Sequence, residues 1–205
     1  MPWMPVLPAP NKWKKNFKLI PLLQVKNMEA IKFLIETIFD LFLMVILLRF
    51  WLQTAKADFY NPLSQFVVKV TSFAVNPLRK IIPGFAGLDI ASLLLAVLIA
   101  VAKISILMLI FNGIWNAPSV IKYSFVTLLN NVFFLLYGVL IIRALLSWLS
   151  QGYNPMEAVF HQLTEPMLRP IRKVIPPLGG FDLSFIVLFI ALQFLQKLIM
   201  SFLIF

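Results

Sequence analysis

The sequence predicts an all-α membrane protein: four transmembrane helices in two tandem two-span repeats, each with an interfacial amphipathic helix between its spans. Three observations predict it. Of the 205 residues, 61% are hydrophobic and only 13% are charged, about half the roughly 25% charged content of a soluble domain, and the mean hydropathy is +0.92. Four apolar runs, Ile31–Leu52, Ile90–Ile114, Phe125–Leu149 and Leu183–Phe205, each reach the roughly 20 residues a helix needs to cross a bilayer. Finally, Pro77-Leu78-Arg79-Lys80-Ile81-Ile82-Pro83 followed by Gly87-Leu88-Asp89 returns as Pro170-Ile171-Arg172-Lys173-Val174-Ile175-Pro176 followed by Gly180-Phe181-Asp182, at a constant offset of 93 residues. Asn61-Pro62 and Thr71 return as Asn154-Pro155 and Thr164 at the same offset. The repeat unit is about half the chain, so this is a duplication and not a solenoid. With two spans per unit both halves share one orientation, which makes it a parallel repeat.

Composition also excludes. Cysteine is absent and His161 is the single histidine, so no disulfide, thiolate nucleophile or multi-histidine metal site can form. No nucleophile–base pair, metal cluster or phosphate loop stands out, so neither an enzyme nor a cofactor is expected. The net charge of +10 reads as positive-inside bias and contact with anionic lipid. No aromatic-basic module accompanies it, so nucleic acid is not an expected partner.

Residues 1–27 hold four prolines in the first ten positions and five lysines between 11 and 26. They lack a continuous apolar core and a small-residue cleavage site, so they are not a signal peptide. Two readings stay open: a disordered extension or upstream start, since Met28 precedes the first span, or a basic arm lying on headgroups. The first span carries Glu36 and Asp40, four residues apart and on one helix face, and Arg49 near its far end. Ionisable groups within a span cost about 2.5–3.5 kcal/mol each at its centre on insertion scales. Asp40 is the deepest of the three, and Arg49 is placed to snorkel to the interface. Arg143 occupies the equivalent place in the third span, and Lys103 lies inside the second.

Asn61 and Asn154 are natural N-caps, each followed by a proline suited to the first helical position. After Asn61, Leu63, Phe66, Val67, Val70, Phe73 and Ala74 share one face, with Ser64, Gln65, Lys69 and Ser72 opposite; such a helix is expected to lie in the interface plane. Met156, Val159, Phe160, Leu163 and Met167 repeat the pattern, with Pro166 expected to shorten or kink the second copy. His161 falls on that copy's polar face. Pro77 and Pro83, and likewise Pro170 and Pro176, bracket Arg79-Lys80 and Arg172-Lys173. The bracketing predicts short rigid elements that present adjacent Arg and Lys to lipid phosphates or a partner. Asp89 and Asp182 read as N-caps of the following spans. Trp51, Tyr60, Trp148 and Tyr153 read as interfacial belts.

A hydrophobic span, Asn-Pro, an amphipathic stretch, Pro-x-Arg-Lys-x-Ile-Pro, Gly-x-Asp and a second span, all occurring twice, resemble the YggT family, including its YlmG-related branch. The resemblance covers Met28 to Phe205. It implies a bacterial inner-membrane protein, multi-pass, of a family associated with osmotic or envelope stress, with cell division and nucleoid distribution, and with cytochrome maturation in plastids. The expected organisation is a leader at 1–27, one repeat at 28–115, a linker at 116–124 and a second repeat at 125–205. The expected function is that of a membrane organiser acting through anionic lipid and protein contacts. An oligomeric ion channel or transporter in osmotic homeostasis is the alternative, with Asp40 and Lys103 as pathway residues. Homo-oligomers and other membrane proteins are the candidate partners. Orientation rests on the basic residues. The loops between spans one and two and between three and four hold seven, against two on the opposite side once the leader is set aside and seven with it; the first count puts those loops in the cytoplasm.

Overall fold

The computed structural model describes residues 12–82, 84, 87–112, 114–149, 154–175 and 182–204, with side chains from residue 28 onward except those of 112, 148, 149 and 204. Among the described residues six α-helices follow one another: α1 (Lys12–Thr54), α2 (Pro62–Ile81), α3 (Ile90–Leu107), α4 (Ala117–Leu149), α5 (Pro155–Val174) and α6 (Ser184–Ile204). A five-residue π-helical turn, Met108–Asn112, extends α3. There is no strand among the described residues. The segments Ile90–Phe111, Ala117–Ser147 and Ser184–Leu203 are long and apolar enough to cross a membrane. α1, with Lys32, Glu36, Asp40 and Arg49 in its apolar run, is not one of those three.

The chain forms two compact units, residues 1–38 and 39–205. In the first, the described side chains belong to α1, where Lys32 and Glu36 approach to 4.0 Å and Phe33 and Leu34 are exposed. The second has three cores. Leu43, Ile46 and Leu47 of α1 pack on Ala96, Ile99 and Ala100 of α3, where alanines let the two helices approach closely. Phe133 and Leu140 of α4 pack on Leu168 of α5 and on Leu188 and Leu192 of α6. Between these, Leu52 and Val67 of the first repeat meet Val139, Val159, Phe160 and Leu163 of the second.

Local chemistry sets the ends of α2 and α5. The Asn61 side chain accepts from the Leu63 N–H at 3.0 Å, and Asn154 accepts from Met156 at 3.0 Å, each ahead of a proline at the first helical position. The two starts also touch, because Asn61 Nδ2 donates to the Pro155 carbonyl at 2.6 Å.

The prolines divide into two kinds, and here the structure corrects the sequence reading. Arg79-Lys80 and Arg172-Lys173 do not form short separate elements. α2 runs through Pro77, and α5 through Pro166 and Pro170, so that both helices have 20 residues and Pro166 shortens nothing. An internal proline loses one hydrogen bond and costs about 3 kcal/mol or more, but its fixed φ is helical. Pro77, Pro166 and Pro170 all lie on exposed positions, where the freed carbonyl is not sealed away. The helices stop instead at Ile82 (φ −119°, ψ 97°) and Ile175 (φ −122°, ψ 93°). Each directly precedes the second proline of its motif, which excludes the α conformation there. Pro83, Pro176, Gly180 and Tyr153 lie outside the described residues, as does the Trp148 side chain. Gly87 supplies a turn with φ +82°, a conformation that favours glycine.

The face that α2 turns toward the protein also differs from the apolar face read in sequence. Its buried residues are Ser64, Val67, Thr71 and Val75, whereas Phe66 and Phe73 point outward, Phe73 stacking on Phe42 at 5.7 Å. α5 buries Val159, Phe160, Leu163, Thr164 and Leu168.

Candidate functional site

Each repeat builds one arginine cluster where three helices converge: α1, α2 and the start of α3 in the first, α4, α5 and the start of α6 in the second. In the first, Arg49 does not snorkel outward: it is 4% exposed. Its Nη1 donates to Thr71 Oγ1 at 2.7 Å, and its Nε lies 3.4 Å from Asp89 Oδ2 without hydrogen-bond geometry. Thr71 in turn donates to the Val67 carbonyl at 2.6 Å, so its oxygen is oriented to accept from the guanidinium. Arg79, in the last turn of α2, holds Asp89 with two nitrogens: Nε to Oδ1 at 3.2 Å, and Nη2 to Oδ2. Arg79 Nη2 also donates to Gln53 Oε1 at 2.8 Å. Asp89 caps α3 through the Ser92 N–H at 3.2 Å and accepts the Ser92 hydroxyl at 2.6 Å. Burial pushes the Asp89 carboxyl upward, but Arg79 and Ser92 together outweigh it and hold the group below the usual carboxylate range.

The second cluster repeats this frame with an addition. Arg143 of α4 donates to Thr164 Oγ1, which donates to the Phe160 carbonyl at 2.7 Å. Arg172 holds Asp182 through Nε at 2.8 Å and Nη2 at 2.6 Å, and Asp182 accepts from the Ser184 N–H at 3.0 Å. Glu165, with no acidic counterpart at Ser72, bridges both arginines: Arg143 Nη2 at 3.2 Å and Arg172 Nη1 at 2.9 and 3.1 Å. Both guanidinium groups also lie over the Phe185 ring, at 5.2 and 6.0 Å from its centre, within cation–π range. His161 is more than half exposed, its Nε2 3.4 Å from Glu165 Oε2. Glu165 and Asp182 are each pushed up by burial and pulled further down by their partners, Arg143 and Arg172 on Glu165, Ser184 and Arg172 on Asp182.

A third polar group lies within the helices. Lys103 of α3, 7% exposed, donates to Asp40 Oδ1 at 2.6 Å. Asn131 of α4 donates to the same oxygen at 3.1 Å. Gln196, which stands 93 residues after Lys103, makes neutral bonds instead: it accepts from Tyr137 Oη at 2.8 Å and donates to Asn130 Oδ1 at 3.1 Å.

The structure thus joins Asp40 to Lys103, Arg49 and Arg79 to Asp89, and Arg143 to the cluster of Arg172 and Asp182. Glu36 stays on exposed helix surface with Lys32. Adjacent Arg and Lys part company: Arg79 and Arg172 turn to carboxylates, while Lys80 and Lys173 are exposed. Among the described residues no three His, Asp or Glu side chains converge as metal ligands. Sequence reasoning missed Thr71 and Thr164 as arginine acceptors, although their recurrence at the repeat offset was the available signal. It also missed Glu165 and Asn131, which no repeat marks.

A family model described as CCB3/YggT matches the chain twice, over residues 28–110 and 122–203. An uncharacterised protein of Vibrio alginolyticus is 52% identical over 169 residues, covering 82% of this chain and 91% of that protein. The uncharacterised protein YggT of Escherichia coli K12 is 42% identical over 165 residues, covering 80% and 86%. One from Pseudomonas aeruginosa is 44% identical over 172 residues, covering 82% and 87%. No solved structure matches. Two tandem family matches, on a helical chain with segments apolar enough to cross a bilayer, lead to one conclusion: this membrane protein belongs to the CCB3/YggT family.

Proposed function

We propose that the protein is a four-span organiser of the bacterial inner membrane, acting in osmotic or envelope stress or in cell division through anionic-lipid and protein contacts. In this reading α1 supplies the fourth span. Its ionisable groups support that placement, because Asp40 is matched by Lys103 and Asn131 and Arg49 is enclosed by Thr71 and Asp89; intramembrane charges are tolerated when paired toward the bundle interior. The observation that carries the lipid reading is the make-up of α2 and the end of α5. Outward-facing Phe66, Phe73 and Ile81, and Val174 in the second copy, accompany the exposed Lys80 and Lys173, a combination suited to the acyl–headgroup boundary. Each such lysine is worth about 1 kcal/mol near an anionic surface. Titration with phosphatidylglycerol nanodiscs is expected to show weaker, less salt-sensitive binding for Lys80→Gln/Lys173→Gln than for wild type. Equal binding at low and high salt would sink the reading. Reporter fusions at 118 and at the C-terminus should agree with each other and oppose those at 70 and 163.

The Asp40–Lys103–Asn131 group, in which Lys103 and Asn131 are buried and Asp40 is partly exposed, favours a second reading, an oligomeric channel or transporter, since such groups mark ion pathways. Potassium or osmolyte flux in proteoliposomes, selective and lost in Asp40→Asn, would decide for it.

A further inference from the structure

We propose that the first repeat binds a phosphate group, free or carried by an anionic lipid, in the half-open cavity between the end of α1 and the start of α2. The cavity measures about 430 Å³, within the roughly 300–1,000 Å³ of small-ligand pockets. Arg49, Lys56 and Arg79 line it with Gln53 and Ser64, and the described lining holds no carboxylate. Asp89, the counter-ion of both arginines, is 2% exposed and not part of that lining. Arg49 and Arg79 therefore share one buried anion, Lys56 adds a third cation to the lining, and a phosphate accepts well from guanidinium forks.

Two further features concern the residues that line the cavity. Three buried side-chain atoms among the described residues lack a hydrogen-bond partner, and two, Arg49 Nε and Ser64 Oγ, belong to residues lining this cavity. Lys56 is the one non-glycine residue of those described with positive φ, at +50°. It follows the end of α1, where Ala57 N–H bonds to Leu52 C=O and Lys56 N–H to Gln53 C=O. This is the paired pattern of a Schellman cap, whose left-handed position usually carries glycine. The lysine at this position puts a cation at the cavity.

The second repeat shows what an anion does in this frame. There Glu165 bridges Arg143 and Arg172, whereas its counterpart is Ser72, whose hydroxyl bonds only locally to the Lys69 carbonyl at 2.9 Å. Ser72 does not line the cavity, so the bound phosphate supplies the missing negative charge from the cavity side and not from the place of Glu165. Lys80 and Lys173, on which the lipid reading above rests, do not line the cavity, so the two proposals fail separately.

The test uses the full chain in zwitterionic nanodiscs, titrated in one arm with inorganic phosphate and in another with phosphatidylglycerol incorporated into the discs. Ser72→Glu carries an internal carboxylate toward the arginines, Lys56→Gln removes a lining cation, and Ser64→Ala removes the unpartnered hydroxyl. Saturable binding in either arm, weakened tenfold or more by Ser72→Glu and several-fold by Lys56→Gln, is the expected result, with Lys80→Gln/Lys173→Gln unchanged in the inorganic-phosphate arm. Response to inorganic phosphate identifies a free anion, and response to phosphatidylglycerol alone identifies a headgroup. Should Ser72→Glu fail to fold, Lys56→Gln and Ser64→Ala carry the comparison. Wild type binding in neither arm, or binding lost in Lys80→Gln/Lys173→Gln but kept in the cavity variants, would overturn the proposal.

Discussion

The two arginine clusters share a frame and differ in charge. Both tie an arginine of the preceding helix, α1 or α4, to a threonine on the middle helix, and a second arginine to the aspartate that opens the next helix. The first sets Arg49 and Arg79 against Asp89. The second sets Arg143 and Arg172 against Asp182 and Glu165. The duplication thus preserves the contacts that join three helices, while a single position, Ser72 or Glu165, decides whether the cluster is neutral. The same divergence recurs deeper in the helices, where Lys103 with Asp40 faces a neutral counterpart in Gln196 with Tyr137. Holding helices together requires only the shared frame. The unbalanced charge of the first repeat is what leaves it able to engage something else.

The sharpest way to break this comparison is to remove the shared aspartate. Asp89→Asn leaves the buried Arg49 and the more exposed Arg79 without a carboxylate, and is expected to cost about 3–5 kcal/mol, chiefly through Arg49. Asp182→Asn leaves Glu165 in place and should cost about half as much. Thermal unfolding of the purified variants gives the order, and a larger loss for Asp182→Asn would contradict the charge assignment. Next, Glu165→Ser gives the second cluster the polarity of the first. A loss of about 2 kcal/mol is expected, since two arginines lose an acceptor at a partly exposed site, together with a new stabilisation by added phosphate.

Thr71→Val and Thr164→Val probe what the repeats have in common. Each should cost about 1–3 kcal/mol, because a buried guanidinium loses an acceptor, and the two losses should be alike. Acid should separate the repeats more gently. The carboxyls of Asp89, Asp182 and Glu165 are all held below their ordinary values, so their stabilisation is complete above about pH 5 and is lost as pH falls through the lowered values. The second cluster binds one more proton in that descent, so Glu165→Gln should flatten the acid limb of a stability-against-pH curve. The smallest effect belongs to Lys80→Gln and Lys173→Gln, expected to shift stability by no more than about 0.5 kcal/mol whatever they do to lipid binding.

The sequence by itself determined the class of protein, the duplication and the Asn-Pro starts of α2 and α5. Apolar runs of membrane length need no partner to be recognised, because lipid leaves the backbone no alternative to the helix. Asn-Pro starts and pre-proline stops act within a few residues, through a side-chain cap and a steric clash, and so can be read from a short stretch. Only the tertiary structure decided that α2 and α5 pass through Pro77, Pro166 and Pro170, and that α2 buries Ser64 and Thr71 rather than Phe66 and Phe73. It alone chose the partners of the ionisable groups: Arg49 bonds to a residue 22 positions away, and Lys103 to one 63 away. Such pairings depend on which helices lie side by side and how each is rotated. That is set by the packing of alanines, leucines and valines across three cores, while the helical period of each segment alone leaves several rotations open.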